Sequence, residues 1–224
     1  MKLSKKKTKV IIILGPPGSG KGTQANLLLK KFRLDYFGSG VALRKRQKKG
    51  DFTGEKLVKV MKRGEWVPEF VISKLWMDKF EEFKQKINFK GLLSDGSPRK
   101  LLEAIFFNDA LLWYEWQKDV KVIFLHITEK ESINRLTKRR QCKKCGRLIP
   151  WIGEFKKLKE CDKCGGKLFV RIDDRLEAIK KRLSEFKKHT IPVINYYKKQ
   201  RKLIRINGAQ SIENVFKDIL KALK

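Results

Sequence analysis

The chain has 224 residues, 41% hydrophobic and 35% charged, and its 55 Lys+Arg against 24 Asp+Glu give a net charge of +31. This length fits one domain with insertions better than two full domains, and the apolar content is enough to bury a core. No run of 18 or more apolar residues is present, which excludes a transmembrane helix; the VIIIL run near the start is too short for a signal peptide and leads into a glycine-rich motif instead of a cleavage site, so a cytoplasmic protein is expected.

Residues 1–8 read as a short basic tail, and 9–14 (KVIIIL) as a strand buried on both faces, as in a parallel sheet. A glycine-rich turn at 15–22 precedes a helix over 23–32, whose apolar residues Ala25, Leu27, Leu28, Leu29 and Phe32 fall at helical spacing. Short helices are predicted at 41–48 and 54–63, and a longer one at 68–86 with Pro68 in its first turn. Residues 91–94 form a short apolar strand. The helix over 100–117 carries an apolar stripe of Leu102, Ile105, Phe106, Ala110, Leu111 and Trp113. A strand at 120–127, a helix at 130–140, a helix at 173–197 broken before Pro192, a strand at 203–206 and a Ser211-capped helix at 211–223 complete the pattern. Strands alternating with helices indicate a parallel sheet covered on both faces. Residues 141–170 interrupt that rhythm: they are loop-rich, glycine-rich and hold all four cysteines, which marks a small inserted subdomain.

The first chemical motif is the turn Gly15, Pro16, Pro17, Gly18, Ser19, Gly20, Lys21, Gly22, Thr23. Phosphate binding requires backbone N–H groups converging on one concavity, and glycine permits those angles and that close approach. The N-terminus of the following helix adds partial positive charge, and Lys21 can reach the β and γ phosphates. A purely structural strand-to-helix turn is the alternative, but the placement between a buried strand and an amphipathic helix favours phosphate. Asp95 and Arg99 in SDGSPR follow the strand at 91–94 directly. A carboxylate there can hold Mg²⁺ through water and an arginine can fork onto phosphate, although an ordinary turn would also look so. Arg135 and Arg139, four apart, should share a helix face; Arg171 and Arg182, eleven apart, should do so too if a helix begins just before Asp173. Phosphoryl transfer asks mostly for positioning and fixed positive charge, which such a set supplies.

Cys142, Cys145, Cys161 and Cys164 form two CxxC pairs separated by fifteen residues, each pair followed by glycine. The spacing matches a four-cysteine zinc site; disulfides are the alternative, and the absence of a secretory segment argues against them. Four thiolates leave no open coordination position, so the metal would be structural. His126 and His189 read as packing or surface residues, and the tryptophans as core, with Trp66 possible against a base.

GPPGSGKGTQA resembles the phosphate loop of the adenylate kinase family, which also has glycine between the lysine and the threonine, and the resemblance spans essentially the whole chain. It implies a three-layer α/β fold of the P-loop NTPase type: a core over 1–140 and 172–224, a helical monophosphate-binding insertion at 37–68, and a zinc-bearing lid at 141–171. It implies a monomeric nucleoside monophosphate kinase that moves the γ-phosphoryl group of ATP to AMP with Mg²⁺ at Thr23 and Asp95. ATP would contact Gly15, Pro17, Gly18, Ser19, Gly20, Lys21, Gly22, Thr23, Arg135, Arg139, Leu148 and Gln210. The monophosphate would contact Ser39, Arg44, Glu65, Trp66, Val67, Gly96, Arg99, Glu103, Arg171 and Arg182, and catalysis would rest on Lys21, Arg99, Arg135, Arg139, Arg171 and Arg182. The chain departs from the family at Ser97 for phenylalanine, at Val41 for an acid, and at Glu103 for a base-reading amide. Glu103 keeps GMP, CMP or UMP open as the acceptor, because a carboxylate accepts hydrogen bonds only. The net charge of +31 also allows a zinc-ribbon nucleic-acid binder; a uniform spread of lysines points instead to non-specific electrostatics on a solvated surface.

Overall fold

The computed structural model describes residues 9–224, so the basic tail expected at 1–8 lies outside the described residues. Strand β1 (Lys9–Leu14) leads through the glycine turn into α1 (Lys21–Phe32), then β2 (Asp35–Gly38), α2 (Ser39–Gln47), α3 (Phe52–Lys62) and α4 (Glu69–Lys84). Strand β3 (Gly91–Asp95), α5 (Leu101–Trp113), β4 (Asp119–His126) and α6 (Glu129–Lys138) follow. Three short strands, β5 (Arg140–Cys142), β6 (Leu148–Ile149) and β7 (Leu168–Phe169), precede α7 (Leu176–Glu185), α8 (Ile191–Lys199), β8 (Leu203–Asn207) and α9 (Ile212–Ala222).

The five long strands form one parallel sheet in the order β2-β3-β1-β4-β8. β1 lies at its centre, which explains why its whole sequence is apolar. Its residues alternate between faces: Val10, Ile12 and Leu14 join a core with α4, α5 and α8, whereas Ile11 and Ile13 join one with α1 and α9. Three layers result, as the strand–helix alternation predicts. On the first face Trp76, Phe80, Phe107, Tyr114 and Trp116 form a ring cluster, with the Trp76, Phe80 and Phe107 centroids each 5.2 Å apart. Ser211 caps the last helix as expected, accepting from Asn214 N–H. The structure adds two caps of the same kind: Asp51 accepts from Gly54 N–H and Thr128 from Glu131 N–H.

Several expectations are corrected. β2 has no counterpart in the sequence-based reading. The apolar stripe predicted for α5 is mostly displaced: of its members Leu111 is buried and Ala110 partly so, but Leu102, Ile105, Phe106 and Trp113 are exposed, Trp113 to 81%, and Glu103, Ala104 and Phe107 are buried instead. The helix is apolar all round, so periodicity could not choose the inward face. Trp113 is therefore not core. The chain also does not break before Pro192; one π-helical turn, Phe186–Thr190, carries α7 into α8 and absorbs the missing proline N–H.

Candidate active site

A cavity of about 1220 Å³ opens at the C-terminal ends of β1, β2 and β3, the edge where ligands of open α/β sheets bind. It exceeds the ~300–1,000 Å³ usual for one small ligand. Its floor is the glycine turn. Gly18 and Gly20 take φ of +81° and +92°, the left-handed region that glycine adopts without strain. Gly20 caps α1 with no side-chain bond, so the first-turn N–H groups are left for an anion. Lys21 Nζ curls back to donate to the carbonyls of Gly15 (2.8 Å) and Pro16 (2.9 Å). Its pKa is lowered from 10.5 to about 7, first by burial, with Asp95 opposing and Arg99, Arg182 and Arg139 adding to the depression.

Asp95 ends β3 across from Gly22, and burial raises its pKa against the pull of Lys21 and a hydrogen bond from Tyr36. Arg99 Nε donates to Gly96 O (2.7 Å), and its terminal nitrogen donates to Ser39 Oγ (2.9 Å), which ties the loop after β3 to the start of α2. Trp66 lies over this guanidinium at 5.3 Å. Glu103 is 1% exposed; one carboxylate oxygen accepts from Ser97 Oγ (2.8 Å) and the other from Arg99 N–H (2.7 Å). Burial raises its pKa, and those two donors oppose the rise. Ser97, where the family places a phenylalanine, is thus paired with Glu103 inside the chain.

The arginines converge, but not by helix periodicity. α6 ends at Lys138 and Arg139 is extended, so Arg135 and Arg139 do not share a helical face. Arg135 bonds Glu131 (2.6 Å) and Gly208 O (3.0 Å), whereas Arg139 forks onto Asp174 at 2.8 and 2.6 Å. Arg171 forks onto Asp173 before α7 begins at Leu176; a short 3₁₀ turn, Ile172–Asp174, intervenes. Arg182 reaches back to Asp173 O (3.1 Å) and Asp174 (3.2 Å). The adjacent acids Asp173 and Asp174 gather three arginines that the spacing argument had placed on helix faces. Arg44 and Arg182 are each lowered to about 10, first by burial; Arg171 adds to it at Arg44 and Arg139 at Arg182. Such crowding of cations is suited to polyanionic phosphate.

All the predicted catalytic residues line this one cavity: Lys21, Arg99, Arg135, Arg139, Arg171 and Arg182. Ser39, Arg44, Glu65, Trp66, Val67, Gly96, Glu103, Thr23 and Leu148 line it as well. Ser19 is buried beneath the turn, and Gln210 does not line the cavity; its amide donates to Asn207 O (3.0 Å) and Asp218 (2.8 Å). The sequence reading missed Tyr36, Trp151 and Phe155 as lining residues, and Asp174 as the holder of two arginines. Asp173 and Asp174 beside Arg171 were the available signal for the acids, because a buried arginine cluster requires counter-charge.

Above the cavity, β5, β6 and β7 form a small antiparallel sheet, where a loop-rich segment was predicted. The four cysteine Sγ atoms lie within 4.8 Å of one another, with Cys142–Cys164 at 3.5 Å and Cys145–Cys161 at 3.6 Å. These are not disulfide distances, which are near 2.05 Å. A tetrahedral four-thiolate ion with ~2.3 Å bonds needs sulfurs about 3.8 Å apart, so the cluster fits a metal ion. Cys145, Gly146, Arg147 and Leu148 of the same segment line the cavity.

A P-loop facing a second, arginine-lined compartment beneath a cysteine-bearing cover defines a P-loop phosphotransferase of the nucleoside monophosphate kinase class. The family model described as "Adenylate kinase" matches residues 13–202. Similar curated proteins include an adenylate kinase of Petrotoga mobilis, 35% identical over 216 residues (96% of this chain, 97% of that one). An adenylate kinase of Archaeoglobus fulgidus is 37% identical over 210 residues (93% and 95%), and one of Methanothrix thermoacetophila 37% over 214 (95% and 97%). The chain belongs to the adenylate kinase family.

Proposed function

We propose that this chain catalyses reversible, Mg²⁺-dependent transfer of the γ-phosphoryl group of ATP to AMP, giving two ADP. The observation that carries the reading is the cation set: Lys21, Arg44, Arg99, Arg135, Arg139, Arg171 and Arg182 line one cavity large enough for two nucleotides. ATP would place its phosphates on the turn of residues 15–23, with Arg135 and Arg139 above them and Leu148 against the base. The monophosphate would lie between Ser39, Arg44, Gly96, Arg99 and Arg171, with Glu65, Trp66 and Val67 enclosing its base and ribose.

An oxygen of the acceptor phosphate attacks the γ-phosphorus in line, and the bond to the β-γ bridging oxygen breaks as ADP leaves. Charge spreads over the equatorial oxygens, where Lys21 and the arginines supply fixed donors. Asp173 and Asp174 hold Arg139, Arg171 and Arg182 in place before substrate arrives, so little reorganisation of these three remains for the chemical step. The carboxylate of Asp95 and the hydroxyl of Thr23, both at the cavity wall, suit a hydrated Mg²⁺. Mg²⁺ there would neutralise phosphate charge. The segment 141–171, held by zinc on its four cysteines, would act as the lid that keeps water from the γ-phosphoryl group.

AMP is favoured as the acceptor because the matching family and the similar proteins are adenylate kinases. Each Glu103 oxygen already accepts a hydrogen bond from the chain itself, which weakens the reason for preferring guanine. We take the protein to act as a cytoplasmic monomer; among the described residues no helix is long and apolar enough to cross a membrane. An ADP-release assay with ATP and each of AMP, GMP, CMP and UMP tests the reading: AMP should give at least tenfold higher kcat/KM than the others, and no turnover with any of them would refute it.

A further inference from the structure

Tyr36 is a polar lining residue with no role in the account so far. It sits on β2, the strand at the sheet edge, and its phenol donates to Asp95 Oδ2 at 3.1 Å. The contact follows from strand geometry. β2 pairs with β3 so that Gly38 lies beside Asp95, and Tyr36, two residues earlier, points to the same face as Gly38. Two residues are too far for an upright ring to reach the end of the sheet. Gly38 removes the obstacle: a Cβ at this position would overlap the Tyr36 hydroxyl and ring. Its backbone is ordinary extended chain, φ −114° and ψ 112°, so glycine is required here for space and not for conformation. The ring therefore lies along the strand, over Gly38, and its hydroxyl meets the carboxylate.

The same corner holds Lys21, Arg99 and Arg44, all of which act on Asp95 by charge, and Gly22 across from Oδ2. The Oδ1 atom of Asp95 accepts no hydrogen bond among the described residues. Val41, which also lines this compartment, brings no carboxylate to it. One oxygen of Asp95 is thus committed to the phenol while the other is left for ligand.

We propose that Tyr36 is a positioning residue for phosphoryl transfer: by occupying Oδ2 it fixes the rotamer of Asp95 and presents Oδ1 to the hydrated metal of the bound nucleotide, with Gly38 supplying the room. This rests on the reading of Asp95 as the Mg²⁺-associated acid. Partners that orient a metal-site ligand typically change metal affinity or activity by about 10–100-fold when removed.

The test is a double-mutant cycle of Tyr36→Phe and Asp95→Ala, with Gly38→Ala as an independent way to displace the ring. The readouts are kcat, the KM for AMP, thermal stability, and Mn²⁺ affinity measured by electron paramagnetic resonance with a non-hydrolysable ATP analogue bound. Tyr36→Phe should lower kcat about tenfold and weaken Mn²⁺ severalfold, with the AMP KM within twofold. Gly38→Ala should do the same. In the Asp95→Ala background, removing the hydroxyl should have no further effect, since it acts through Asp95. A Tyr36→Phe enzyme whose kcat and Mn²⁺ affinity stay within twofold of wild type overturns the proposal, as does an additive cycle, while a loss of thermal stability alone would show a merely structural contact. If Asp95→Ala itself keeps normal kcat and Mn²⁺ affinity, the metal reading of Asp95 fails and this proposal fails with it.

Discussion

ATP binding at pH 8 should take up most of one proton, and Lys21 should be the group that takes it. In the ligand-free cavity Lys21 titrates at about 7 because burial and neighbouring arginines disfavour its charge. At pH 8 a group with that pKa is roughly 0.9 neutral. Phosphate oxygens arriving within hydrogen-bond reach favour the ammonium; an upward shift of about two units returns the side chain to at least 0.9 protonated. The difference is an uptake of about 0.8 proton per ATP. The γ-phosphate, with its last pKa near 6, is already ionised at pH 8 and contributes little. Isothermal titration calorimetry in buffers of different ionisation enthalpy reads this number as the slope of observed enthalpy against buffer enthalpy. Lys21→Met should flatten the slope. The sign for stability follows from the same shift. The unfolded chain binds the Lys21 proton more tightly than the fold does, so this group's contribution to stability rises with pH between about 7 and 10.5. Buffer-independent enthalpy in the wild-type protein, or an equal slope in Lys21→Met, would refute the reasoning.

Asp174 is fully buried and holds Arg139 and Arg182, so Asp174→Asn should cost about 3 kcal/mol in urea unfolding and lower kcat, because an amide cannot take both forks. The zinc proposed for the four thiols should amount to about one ion per purified chain; Cys142→Ser, or chelation, should lower it to nearly none and melt the segment around β5, β6 and β7 while the core remains folded, seen as a separate low-temperature transition by calorimetry. Glu103→Gln should keep AMP turnover within a few-fold, because an amide can accept from Arg99 N–H and donate to Ser97 Oγ. Glu103→Ala should instead raise the AMP KM and destabilise by about 2 kcal/mol, since it strips both partners from the loop that carries Arg99. Trp76→Ala should lower stability by about 4 kcal/mol and Tm by about 10 °C, since the ring is fully buried against Phe80 and Phe107.

The core of the fold was legible because β1, β3 and β4 are apolar on both faces and the glycine turn stands between a strand and a helix. β2 was not, because Asp35, Tyr36, Phe37 and Gly38 have no alternation; their extended form comes from pairing with β3, a contact remote in sequence. The strands over the cysteines are two or three residues long, too short for any alternation to show in the sequence. For the site, residue types and motif context identified the cations, but helix spacing gave the wrong reason for the arginine clustering. Arg139 and Arg171 lie outside helices, and what draws them together is the acid pair Asp173 and Asp174. The role of Glu103 was obscured for a related reason: its partners, Ser97 Oγ and Arg99 N–H, are set by the fold of a loop and not by any local periodicity.

The central claim, that both nucleotide sites of one cavity accept adenine nucleotides, is tested most directly by supplying Mg²⁺ and ADP alone and following the reaction by ³¹P NMR. Two ADP should convert to ATP and AMP in equal amounts until equilibrium. A kinase whose acceptor site requires guanine, cytosine or uracil cannot do this, and ADP that stays unchanged under conditions where the protein is folded would contradict the account.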